Sequence, residues 1–64
     1  MDIITRFFNA GWNIEIIKEG DSIVAIYATK NDGSILRAVG KDLKEAKKDL
    51  RLMNRAELSV SQQV

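Results

Sequence analysis

The sequence predicts an α+β fold in the order α-β-β-β-α, a three-stranded antiparallel meander with two helices packed on one face. Apolar residues recur at helical spacing near both ends of the chain, and three strand-like runs lie between them. Asp32-Gly33 separates the second and third of these runs and carries a strong hairpin signal. A meander of this size covers one face with its helices and leaves the other open to solvent or a partner.

Each element has its own reason. Asp2 is placed to cap a two-turn helix in which Ile3, Ile4, Phe7 and Phe8 share a face, and Gly11 is suited to end it. Trp12, Ile14 and Ile16 then alternate with Asn13, Glu15 and Ile17, as a strand requires. After the turn EGDS, the run IVAIYATK is β-branched and apolar on both faces, which suits a central strand. Asp32-Gly33 favours a two-residue turn with positive φ at both positions, returning the chain into SILRAVG. Asp42 and Glu45 have the spacing of a capping box, so the last helix should run from Leu43 to about Glu57. Residues 1–58 form the single expected domain, and 59–64, SVSQQV, read as a frayed tail.

Sixty-four residues without cysteine or histidine narrow the chemistry. There is no disulfide framework, no thiolate metal site and no imidazole base, so a cofactor-free, metal-free, non-catalytic protein is expected. The apolar runs are too short to span a bilayer and acidic Asp2 stands where a signal peptide would be basic, so a soluble cytoplasmic location is expected. The net charge of +1 conceals a segregation. Residues 1–36 carry three basic and five acidic side chains, and residues 37–64 carry seven and four.

The turns allow a register to be read. A turn centred on Asp32-Gly33 pairs Thr29 with Leu36 and Tyr27 with Ala38, and one centred on Gly20-Asp21 pairs Ile16 with Ala25 and Ile14 with Tyr27. The core face would then hold Trp12, Ile14, Ile16, Ile23, Ala25, Tyr27, Leu36 and Ala38. The open face would hold Asn13, Glu15, Ile17, Val24, Ile26, Ala28, Ile35, Arg37 and Val39. An apolar patch of that kind marks a contact surface, with Ile17, Val24, Ile26, Ile35, Arg37 and Val39 as its interface residues. On that placement Ile26→Glu would abolish association and leave the monomer folded. A slip of one residue would exchange the faces.

On the last helix, Leu43, Ala46, Leu50 and Met53 fall on one side at about 100° per residue. Lys44, Lys48, Arg51 and Arg55 form a row nearly opposite, where like charges repel at spacings of four, three and four. Glu45 and Asp49 flank the row, and a Glu45–Lys48 pair would relieve it in part. An exposed row of this kind suits phosphates or an acidic protein surface, with Lys41 and Lys47 assisting. The bland reading is a solvated helix face.

The stretch KEAK, Lys44 to Lys47, resembles the start of the second helix in double-stranded-RNA-binding domains, which share this element order. Lys44, Ala46 and Lys47 match that family's basic motif, and Leu43 stands where its first lysine would be. The resemblance implies phosphate contacts from those lysines. Residues 2–54 also resemble the small HicA-type toxins in layout, from NAGW through KEGDS to the last helix. Those toxins are ribonucleases with a catalytic histidine, which this chain lacks, so no catalytic residue carries over.

Gly11, Gly20, Gly33 and Gly40 are isolated and read as punctuation, and Trp12 and Tyr27 read as core anchors. The expectation is therefore a small binding module for nucleic acid through the basic row. The alternative is a protein-interaction module, an inhibitor or adaptor of the kind mobile elements encode, or a homodimer, using the open sheet face.

Overall fold

Helix α1 (Ile3–Asn9) leads into three strands, β1 (Asn13–Gly20), β2 (Ile23–Thr29) and β3 (Ile35–Gly40), and the chain closes with α2 (Leu43–Gln62). The structure is a computed structural model that describes residues 2–62, with side chains as far as Asn54. The strands form one antiparallel sheet in the order β1-β2-β3. Ile3 and Phe7 of α1, Ala46 and Leu50 of α2, and Ile26, Ala28 and Ala38 of the sheet share one core cluster. Both helices therefore lie on the same face of the sheet.

Local signals explain the helix ends. Gly11 has φ of 95°, and the amides of Gly11 and Trp12 donate to the carbonyls of Phe8 and Phe7 at 3.1 and 3.0 Å. This is a Schellman ending, in which the residue after the glycine makes an apolar contact back onto the helix. Trp12 does so by tilting against Phe7 with ring centroids 5.4 Å apart. Asp2, expected to cap α1, makes no side-chain cap bond; its carboxylate reaches Lys47 of α2 at 3.3 Å and ties the helices together. Asp42 does cap α2, accepting from the Glu45 amide at 2.9 Å, and the Glu45 carboxylate turns to Lys41 at 3.8 Å rather than back to the cap. Helix α2 continues to Gln62, past the end expected near Glu57 and into the segment read as a tail.

Both hairpins differ from the expected register by one residue. At the second, the Gly33 amide donates to the Lys30 carbonyl, Lys30 and Ser34 are bonded, and positive φ occurs at Gly33 but not at Asp32. A two-residue type I′ turn needs positive φ at both central positions, so the loop instead takes three residues, with the glycine closing a bulge. The Asp32 carboxylate accepts from the Ser34 amide at 2.9 Å and holds that shape. At the first hairpin, Gly20 pairs with Ile23 and a bulge lies between Lys18 and Gly20, so Ile16 meets Ile26 and Ile14 meets Ala28.

The two slips have opposite sense, and they cancel between β1 and β3. Those strands keep their expected faces, and β2 alone is turned over. Ile26 and Ala28 lie fully buried beneath the helices, with Val24 packed against the same core. Val24 and Ile26 are thereby removed from the expected interface. Ile23, Ala25, Tyr27 and Thr29 take the open face beside Ile17, Ile35, Arg37 and Val39. The gain is one of volume: Ile26 fills the space between sheet and helices that Ala25 would have left empty.

Candidate nucleic-acid interface

The basic face of α2 is built by its amphipathic winding. Ala46 and Leu50 are buried and Met53 packs on the core, which turns Lys44, Lys48 and Arg51 to solvent. None of these three forms an ion pair with a described residue. Glu45 does not relieve Lys48, because it faces Lys41. Asp49 is also engaged elsewhere: its carboxylate accepts from the Val39 amide at 3.0 Å, on the outer side of β3. The expected members therefore divide. Lys41 and Lys47 have acidic partners, Glu45 and Asp2, while Lys44, Lys48 and Arg51 do not. The Arg55 side chain lies outside the described residues.

A further cation joins the row from the other helix. Arg6 of α1 lines a groove of about 470 Å³ between the helices together with Ile3, Lys48, Arg51, Leu52 and Asn54. Sequence reasoning missed Arg6, since nothing in a lone arginine on a two-turn helix shows which part of α2 it will approach. The one available signal was that Arg6 sits off the Ile3, Ile4, Phe7 and Phe8 stripe, in line with exposure. Three cations thus converge on one concavity, with aliphatic walls from Ile3 and Leu52 and an amide from Asn54. Such a site suits an anion whose oxygens can be shared by several donors, with the arginines able to grip two oxygens at once.

The open sheet face has a different character from the expected apolar patch. Tyr27 donates its hydroxyl to the Glu19 carboxylate at 2.8 Å, and Arg37 donates to Glu19 at 2.6 Å and to the Tyr27 oxygen at 3.1 Å. The Arg37 guanidinium also stands 5.8 Å from the Tyr27 ring centre. Tyr27, read as a core anchor, is instead the centre of a polar bridge across the sheet. Ala25 is fully buried without belonging to the helix-side core, as it would be with larger side chains closing over it on the open face. Ile17, Ile23, Ile35 and Val39 remain exposed around this bridge. Trp12, by contrast, is a buried core residue, with the Lys30 ammonium 4.7 Å above its ring.

The bridge has a pH signature. The hydrogen bond from Tyr27, followed by that from Arg37, holds the Glu19 carboxyl below the ordinary glutamate range. A carboxylate whose pKa is depressed in the folded state stabilises fully above its unfolded pKa, about 4.3, and loses that contribution as pH falls through the folded value. Glu19→Gln should therefore flatten the acid limb of stability below about pH 4.3 and leave the curve's shape above neutrality unchanged. Urea midpoints of both proteins between pH 2 and 8 check this; parallel acid limbs would show that the bridge does not form in solution.

Among the described residues no three potential metal ligands cluster, and no helix is long and apolar enough to cross a membrane. No protein-family model, no curated protein and no solved structure matches this chain.

Proposed function

We propose that this chain is a non-catalytic module that binds nucleic acid through its phosphate backbone. The observation that carries the reading is the convergence of Arg6, Lys48 and Arg51 on the groove between α1 and α2, without an acidic partner among the described residues. Lys44 extends the same row toward the start of α2. Like charges gathered at helical spacing cost a few tenths of a kcal/mol per pair, and a bound polyanion turns that cost into affinity. The likeness of Lys44 to Lys47 to the second-helix motif of double-stranded-RNA-binding domains points the same way. The open sheet face supports protein binding less well, because the Glu19–Tyr27–Arg37 bridge crosses its middle.

Four phosphate contacts would give a log–log salt slope of about −3.6 on a duplex, at roughly −0.9 per contact. Fluorescence anisotropy of a labelled duplex across a salt series tests this. The double variant Arg6→Glu/Arg51→Glu should lose most of the binding and reduce the slope by about 2. Undiminished affinity in that variant, or binding indifferent to salt, would sink the proposal. Capture of an acidic peptide with no response to nucleic acid would move the same surface to a protein ligand.

A further inference from the structure

The sheet has two edges, and the chain treats them differently. At β3, helix α2 lies alongside and the Asp49 carboxylate takes the outward amide of Val39. A natural sheet protects an edge in just this way, by satisfying its free donors and covering it. At β1, among the described residues, no further strand pairs with the outer side. Ile16 projects to the helix side yet stays outside the core cluster, about half exposed at 47%, and its neighbour Ile17 is 39% exposed on the other face.

The outward hydrogen-bonding positions of β1 follow from Val39. In an antiparallel sheet a residue's N–H and C=O point to the same side, and the side alternates along the strand. Since the Val39 amide points away from β2, its partner Ala25 turns its own groups toward β1, where it pairs with Ile17. Ile14, Ile16 and Lys18 therefore turn their amides and carbonyls outward.

We propose that β1 pairs antiparallel with β1 of a second copy about a two-fold axis through Ile16, joining two sheets of three strands into one of six. This inference does not rest on the nucleic-acid reading. The charge pattern selects the register. An axis at Glu15 sets that carboxylate against its own copy, one at Ile17 sets Glu15 against Glu19, and one at Lys18 sets two ammonium groups together. An axis at Ile14 leaves little of the strand overlapped. An axis at Ile16 places Ile14 opposite Lys18 of the second copy and Glu15 opposite Ile17 of the second copy, with no like charges face to face. It also places the exposed Ile16 against its own copy on the helix side.

The bulge between Lys18 and Gly20 ends the regular pairing, so about five residues a side take part, against the roughly 20–30 of a standard interface. The dimer is accordingly weak and concentration-dependent. Because the axis stands perpendicular to the sheet, the helices of both copies remain on one side. The two basic grooves then belong to one surface.

Sedimentation of the intact protein in high salt, over a concentration series reaching about 1 mM, tests the proposal directly. Wild type should move from monomer to dimer, and amide exchange should slow with concentration at Ile14, Ile16 and Lys18 in alternation. Ile16→Lys and Ile16→Glu should each stay monomeric with unchanged circular dichroism, and their equimolar mixture should associate, because opposite charges then meet at the axis. A wild type that remains monomeric throughout overturns the proposal. So does association that both variants retain, or a mixture that stays monomeric, since either places the contact elsewhere. The exchange pattern on wild type decides the matter if either variant fails to fold: concentration-dependent protection elsewhere than at these three amides refutes the β1 pairing.

Discussion

Ile26→Glu should leave the protein unfolded at neutral pH. Ile26 is fully buried, on the central strand, between the sheet and the two helices. Truncating a buried isoleucine costs about 2–5 kcal/mol through lost transfer energy and the cavity left behind. Among the described residues no charged side chain is buried in the core, so a carboxylate there adds a desolvation penalty and is either neutralised or expelled with the strand. A domain this small has about 3–5 kcal/mol to lose. Circular dichroism and a one-dimensional proton spectrum should show loss of dispersed structure, with partial recovery on acidification as the carboxyl protonates. Ile17→Glu, on the open face, should remain folded under the same conditions. A folded Ile26→Glu would mean that β2 presents its other side to the helices, since Ile17 on β1 stays on the open face in either case.

Gly40→Ala should be the next most damaging change. A Cβ placed on Gly40 would lie 2.5 Å from the Ala46 amide nitrogen, 2.6 Å from Glu45 Cβ and 2.7 Å from the Glu45 carbonyl carbon. Two of these neighbours are backbone atoms in the first turns of α2, which cannot swing aside as a side-chain tip can. Relief requires the helix to lift, and the helix carries Ala46 and Leu50, both fully buried. Overpacking costs about 1–3 kcal/mol, and this site belongs at the upper end because the obstacle is main chain. Gly20→Ala supplies the contrast, since its Cβ would meet only Ile23 side-chain atoms, the nearest at 3.7 Å. Urea midpoints should drop steeply for the first and little for the second. Equal midpoints would show that α2 does not approach β3 so closely.

The candidate site was legible in part. The Lys44, Lys48 and Arg51 row follows from helical periodicity, because the same winding that buries Ala46 and Leu50 must expose residues half a turn away. Which cations keep an acidic neighbour did not follow. Asp49 looked available to the row, and the fold uses it at the Val39 amide. Lys47 looked like a member, and Asp2 holds it. Arg6 entered only when α1 was laid beside α2.

The order of the elements, the start of α2 at Leu43 beneath the Asp42 cap and the glycine ending of α1 follow from the amino-acid order alone. These depend on spacings within a few residues, which local stereochemistry reads directly. The face of β2 was settled by packing. Its residues are apolar on both sides, so periodicity does not choose between them, and the choice passes to the two turns. There the backbone preferred a three-residue loop at Gly33 and a bulge before Gly20, and the larger side chain of Ile26 filled the core. A strand that is apolar on both faces takes its orientation from its neighbours, because burial energy then depends on the volume available between sheet and helices and not on the strand's own pattern.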